Sequence, residues 1–190
     1  MPNAAVTAEQ LAAIQRIHED LAARMTESWT RRFRFQVAIS VGSVKQTTFG
    51  SHVEQLGNPC CSYSFGIAPG GGSALFSYDR SVLEGSLVEQ LKGRKDLALE
   101  SGQPMEAIHR RIMGPVITRE LEDFEKAWAI ERIMRVSDAE IEVDPTSIDL
   151  AGPDDDIIHT AFNVESGKVS GSAFLAYPLS TLEPLLKDLH

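Results

Sequence analysis

A chain of 190 residues with 43% hydrophobic and 24% charged residues carries enough apolar material for one continuous core without disulfides or metals to staple it. No run approaches the eighteen or so apolar residues a membrane span needs. The formal net charge of −9 argues against a nucleic-acid or anionic-membrane partner, since either would repel the chain as a whole.

The start, Met1-Pro-Asn-Ala-Ala-Val6, lacks the basic beginning and apolar block of a signal peptide, so cytoplasmic residence is expected. Thr7 with Gln10 forms a capping-box pattern ahead of Leu11, Ile14, Ile17, Leu21, Met25 and Trp29 at three-to-four spacing, which predicts a long helix with one buried face. After Arg31 and Arg32 the period changes to two, with Phe33, Phe35, Val37, Ile39 and Val41 alternating against polar or small residues, which predicts a strand over 33–41. A short helical segment is expected around His52 to Leu56, ending at Gly57. Asn58-Pro59 then breaks the chain before a strand through Cys61, Tyr63, Phe65 and Ile67. The adjacent Cys60 and Cys61 should point to opposite faces of that strand, as small buried thiols in a reducing compartment.

Pro69 to Gly72 supplies a turn into a strand over Ser73 to Tyr78. A helix capped by Ser81 with Glu84 and closed by Gly93 follows. Pro104 suits the first turn of a long helix carrying Met105, Ile108, Ile112, Ile117, Leu121, Phe124 and Trp128, with Gly114-Pro115 predicting a kink. Strands are expected at about Ile130 to Val136 and Ile157 to Val164, then a hairpin turn at Glu165 to Lys168, a last strand to Tyr177 and a helix from Ser180.

An internal repeat organises these elements. Ser73-Ala-Leu-Phe-Ser-Tyr78 and Ser172-Ala-Phe-Leu-Ala-Tyr177 align at an offset of 99 residues, and the match extends to Ser81/Ser180, Leu83/Leu182 and Glu84/Glu183. The same offset superposes Trp29 on Trp128, each closing a long amphipathic helix before a strand. The expected fold class is therefore α/β, a sandwich of two pseudo-symmetric halves at about 7–99 and 104–190 within one domain over 7–190, after a flexible terminus over 1–6.

Chemistry is sparse. The histidines at 18, 52, 109, 159 and 190 share no ligand spacing, so His18 and His109 are expected to be ordinary helix residues and no metal is expected. Gly70-Gly71-Gly72 joins two strands and lacks the Lys-Ser/Thr of a phosphate loop. Asp154-Asp155-Asp156 lacks the glycine and distal glutamate of a calcium loop. Lys92-Gly93-Arg94-Lys95-Asp96 is a local basic cluster on an acidic chain, a solvated loop or a docking site. Arg16, Glu19, Asp20 and Arg24 give the first helix a charged outer stripe, a candidate for weak, reversible self-association. No cofactor and no catalytic residue is indicated.

Val41-Gly-Ser-Val-Lys-Gln-Thr-Thr-Phe-Gly50, Leu56-Gly-Asn-Pro59, Ala127-Trp128 and Tyr177-Pro-Leu-Ser-Thr-Leu-Glu-Pro184 together resemble the middle domain of the FliM family of flagellar motor switch proteins, from about Thr7 to Leu189. The resemblance implies the three-layer α/β/α sandwich shared with CheC phosphatases. It also implies a non-catalytic role in the cytoplasmic switch ring at the base of the motor: side-by-side packing with neighbouring FliM copies, binding of FliG, and relay of the phosphorylated CheY signal. By position, the family's Gly-Gly-x-Gly loop that contacts FliG corresponds to Lys92–Asp96, where only Gly93 matches. The family's CheY-capturing segment has no counterpart in Met1 to Val6, and the FliN-like domain is not in this sequence. A CheC-type phosphatase would need a helix-borne Glu and Asn three residues apart, and the asparagines at 3, 58 and 163 do not supply one. The altered loop also raises a scaffold of a non-flagellar secretion apparatus as a rival reading.

Overall fold

A computed structural model describes residues 5–79, 82, 105–137, 139–167 and 169–189. Helix α1 (Ala8–Phe33) opens with the expected capping box: the Gln10 N–H donates to Thr7 Oγ1 at 3.2 Å and the Thr7 N–H donates to Gln10 Oε1 at 3.0 Å. Its inner stripe buries Ala13, Ile14, Ile17, Leu21, Met25 and Trp29, and each large side chain removed from water contributes about 1.5–3 kcal/mol.

The helix continues past Trp29, and Phe33, expected on a strand, belongs to its last turn. Trp29 and Phe33 lie four residues apart, so both fall on the buried stripe, with rings edge to face at 5.6 Å. Arg34 ends the helix at φ 61, where its N–H bonds the Thr30 carbonyl at 3.0 Å. Strand β1 begins only at Ala38 and runs to Thr48, longer than predicted because it stays paired along the whole of β6. Thr48 caps the short α2 (Phe49–Val53), which starts earlier than expected and turns His52 inward.

Strands β2 (Cys61–Ala68) and β3 (Gly72–Tyr78) form an antiparallel hairpin as predicted. Gly70 and Gly71 take φ of 119 and 70, and Gly72 is needed for close approach, since a Cβ there would meet Thr181 Oγ1 at 2.2 Å. Apart from Val82, which is buried, the helix expected from Ser81 to Gly93 lies outside the described residues. Helix α3 (Met105–Trp128) passes through Gly114 and Pro115 without interruption. The expected strand over 130–136 shrinks to β4 (Arg135–Val136). The Glu131 and Arg132 N–H groups instead turn back onto the Trp128 carbonyl at 3.0 and 2.8 Å, which leaves Ile130 and Ile133 each 70% exposed.

A short β5 (Glu140–Glu142), unsuspected because its composition is acidic, pairs with β2. A 3-10 turn at Pro145–Ser147 leads into β6 (Asp156–Ser166), β7 (Val169–Pro178) and α4 (Leu179–Leu186).

Every strand pair is antiparallel, in the order β1-β6-β7-β3-β2-β4 with β5 also on β2. That order is a palindrome: β7 mirrors β3, β6 mirrors β2, and the broken β4/β5 mirrors β1. Phe76 and Leu175, the residues the repeat equates, stand directly opposite each other in the central β3–β7 pair, so the pseudo-two-fold passes between them. The fold is a three-layer α/β/α sandwich of two pseudo-symmetric halves, and each half lends its outermost strand to the other.

One sheet face meets α1, α3 and α4 around the larger core. The other meets α2 and the 144–155 segment around Phe49, Cys60, Leu75, Ile148, Ile157 and Ala176. Cys60 therefore sits in the smaller core and Cys61 in the larger, on opposite faces, and neither forms a disulfide. His52 and His159 meet at 5.2 Å between ring centroids beside this smaller core, and their ring nitrogens have no hydrogen-bond partner among the described residues. Burial pushes both imidazoles down to about 4, with His159 adding to the effect at His52 and Lys45 adding to it at His159.

Candidate functional site

Helix α1 fixes the geometry of the predicted charged stripe, because its opposite face is pinned to the core. Arg16 and Glu19 are exposed while Asp20 and Arg24 are half-buried, all on the solvent side. The stripe is largely paired along the helix: Arg24 Nε meets Asp20 Oδ2 at 2.6 Å, and Gln15 Nε2 donates to Glu19 Oε1 at 2.9 Å. Pairs of this kind are each worth about 0.3–0.5 kcal/mol. A partner would exchange them for its own charges at small net cost. Lys92, Gly93, Arg94, Lys95 and Asp96 lie outside the described residues.

Behind the stripe, two buried polar clusters join the helices to the sheet. In the first, Glu120 of α3 accepts three hydrogen bonds: Trp29 Nε1 donates to Oε1 at 2.8 Å, the Tyr63 hydroxyl to Oε2 at 2.6 Å, and the Tyr78 hydroxyl also to Oε2. Beside it, Ser28 Oγ donates to the buried Asp123 at 2.7 Å, and Arg119 Nε reaches the other oxygen of Asp123 at 3.3 Å. Burial raises the Glu120 carboxyl to about 7 against the lowering effect of its three donors, and the nearby Asp123 raises it further. Burial likewise holds the hydroxyls of Tyr63 and Tyr78 far above their ordinary range, aided by the Glu120 charge.

The second cluster is the pseudo-symmetric counterpart. Tyr177 and Trp128 occupy the places of Tyr78 and Trp29, and Trp128 Nε1 donates to the Tyr177 hydroxyl at 3.3 Å. His18 of α1 lies between Tyr177 and Thr160, with Nε2 2.7 Å from the tyrosine hydroxyl and Nδ1 2.8 Å from Thr160 Oγ1. A neutral imidazole carries one ring proton, so one nitrogen of His18 donates to its hydroxyl partner and the other accepts. Burial drives His18 down to about 3, far below any working pH, so it is a neutral core group and not the ordinary helix residue expected. Each helix thus sends one ionisable side chain to the tryptophan–tyrosine pair of the other half.

Sequence reasoning missed both clusters, although the signal was there. Glu120 sits among Ile117, Leu121 and Phe124, and His18 among Ile14, Ile17 and Leu21, each on the apolar stripe of its helix. Perturbed ionisable groups are common in active sites, yet these two are sealed. Glu120 is 2% exposed, and the space it shares with Leu21, Tyr63, Phe65, Phe76, Leu121 and Phe124 has no volume for a water-sized molecule. What the arrangement can do is hold α1 and α3 rigidly on the sheet, so that their outer faces act as fixed surfaces. Among the described residues no group of three or more His, Cys, Asp or Glu side chains is placed to hold a metal ion, and no described helix is long and apolar enough to cross a membrane.

Comparison with known proteins agrees with this architecture. The family model described as flagellar motor switch protein FliM matches residues 7–190. The flagellar motor switch protein FliM of Borreliella burgdorferi is 28% identical over 181 residues, covering 95% of this chain and 51% of that protein. The chain spans about half the length of the curated relatives it matches. Among solved structures, a chain of the FliG–FliM complex from H. pylori superposes with a TM-score of 0.84 at 20% identity, over 96% of this chain and 100% of that one. The FliM middle domain from Vibrio alginolyticus gives 0.78 at 24% identity, over 93% and 99%.

Proposed function

We propose, from the premise that this chain belongs to the flagellar motor switch protein FliM family, that it is a non-catalytic building block of the motor switch ring. In this reading it binds a FliG-type protein and neighbouring copies of itself, and relays the phosphorylated CheY signal in the cytoplasm at the base of the flagellar motor. The observation that carries the proposal is the family match over 7–190 on a fold that also occurs in a FliG–FliM complex. The sealed surroundings of Glu120 and His18 support a structural role over a catalytic one. A CheC-type phosphatase is less well supported, because Asn58 lies in the turn after α2 and Asn163 on β6, neither on a helix.

The FliG contact is assigned to Lys92–Asp96, where the charges of Arg94 and Lys95 take over from a flexible glycine pair. Self-association is assigned to Arg16, Glu19, Asp20 and Arg24, whose place on the solvent side of α1 and interchangeable pairs suit a contact that must form and break.

Calorimetric titration with the FliG middle domain from the same genome tests the first assignment. Micromolar or tighter binding that weakens at least about tenfold in Arg94→Glu/Lys95→Glu supports it. Unchanged affinity removes the loop from the interface, and no binding by two folded proteins removes FliG as the partner and favours a non-flagellar scaffold. Sedimentation of Arg16→Glu/Arg24→Glu tests the stripe, and assembly identical to that of the parent chain excludes it.

A further inference from the structure

Where α1 ends against the middle of α3, a cleft of about 370 Å³ opens between Trp29, Pro115 and Val116, with Arg31, Arg32, Arg34 and Arg119 around it. We propose that this arginine-rimmed cleft is a docking site for an acidic, extended segment of a partner protein, separate from the outer stripe of α1.

The first argument is charge. On a chain of net charge −9, four arginines line one opening, and Arg110 and Arg111 stand exposed further back along α3. The helix dipole accounts for Arg31 and Arg32, since cations in the last turn offset the partial negative charge there. The same effect reaches Arg34 at the helix cap, but it does not account for Arg119 on the neighbouring helix. Arg31 and Arg119 are already engaged, by Glu27 at 2.5 Å and by Glu122 and Asp123 at 3.0 and 3.3 Å. Arg32 and Arg34 have no ion pair among the described residues, so the rim keeps two uncommitted forks that match a carboxylate bidentately.

The second argument is the backbone. Arg34 holds the left-handed conformation, φ 61 and ψ 29, at the helix-terminating position where glycine is the least costly residue. An arginine there keeps a charge at the rim at the expense of conformational strain, and such outliers gather at functional positions. The third is shape. The exposed Pro115 gives a small hydrophobic side chain a contact between the charges, which suits a peptide that alternates carboxylates with apolar residues. A nucleic-acid duplex would meet the repulsion of the rest of the chain.

The test is fluorescence anisotropy of a dye-labelled peptide of alternating Glu and Leu, with a matched Gln and Leu peptide as control, titrated with this chain. The expected result is binding of the acidic peptide only, weakened by salt and reduced at least about tenfold by Arg32→Glu/Arg34→Glu. Both positions are exposed, and circular dichroism verifies folding; Arg32→Gln/Arg34→Gln serves if the charge reversal does not fold. Equal binding of the glutamine peptide, or unchanged affinity in the folded double variant, overturns the proposal. So does the absence of acidic-peptide binding, and binding of phosphatidylglycerol vesicles lost on the same substitutions would reassign the cleft to a membrane surface. The readout uses no FliG, so its outcome is independent of the function proposed above.

Discussion

The two halves of this molecule place the same tryptophan–tyrosine pair under the same kind of long helix, yet complete it with opposite chemistry. At Trp29 and Tyr78 the third partner is a carboxyl, Glu120, which collects three donors. At Trp128 and Tyr177 it is an imidazole, His18, which both accepts and donates. In each case the ionisable group crosses over from the helix of the other half. The lesson is that a duplicated scaffold can keep its aromatic pair and complete it differently: Glu120 accepts from both Trp29 and Tyr78, whereas His18 meets Tyr177 and Thr160 while Trp128 bonds the tyrosine itself.

The comparison can be broken most forcefully by truncation. Glu120→Ala orphans three buried donors and opens a cavity, for a loss of about 4 kcal/mol, whereas His18→Ala orphans two hydroxyls that can reorient and costs about 3 kcal/mol. Denaturant unfolding at pH 6 measures both, and near-zero losses would mean the clusters do not lock the helices.

The two clusters respond to pH with opposite signs. Glu120 has a folded pKa of about 7, above its ordinary 4.5. Its stabilising contribution is complete below pH 4.5 and is lost as pH rises through 7, by up to about 3 kcal/mol. His18, held at about 3, contributes fully above pH 6.5 and loses its contribution as pH falls toward 3. His52 and His159, both held at about 4, act in the same direction as His18. Glu120→Gln should therefore flatten the stability profile between pH 4.5 and 7 while leaving the acid side intact. An unchanged slope in that window would show that Glu120 titrates normally.

The smallest difference isolates single hydrogen bonds. Trp29→Phe removes a donor 2.8 Å from a carboxyl oxygen and Trp128→Phe one 3.3 Å from a neutral hydroxyl. Similar rings leave similar voids, so Trp29→Phe should cost about 1 kcal/mol more than Trp128→Phe in matched unfolding curves. Equal costs would mean that the carboxyl acceptor adds nothing.

Long elements with a clear period were legible in the sequence: the capping box at Thr7, the hairpin of β2 and β3, and the repeat that fixes the pseudo-two-fold. Phe33 was misplaced because an aromatic four residues after Trp29 and two before Phe35 satisfies the helical and the strand period at once, and only packing decides between them. The run from Ile130 to Val136 looks apolar enough for a strand, but the helix exit turns most of it away from the sheet. Of the candidate sites, the outer stripe of α1 was legible because exposure follows directly from the burial of Ile14, Ile17 and Leu21. The buried clusters were not, since Glu120 and His18 find partners 91 and 159 residues away in sequence, a distance no local pattern reports. Nor was the arginine cleft, which forms only when the end of α1 meets Arg119 of α3.

The palindromic strand order makes the two halves inseparable. Taken alone, the first half would keep β2 and β3 as a hairpin but leave β1 without its partner, because among the described residues its ladder is to β6. The second would keep β6 and β7 but strand β4 and β5, whose ladders are to β2. A single copy of the repeat could close such a sheet only by exchanging outer strands with a second copy, an embrace that one continuous chain makes permanent.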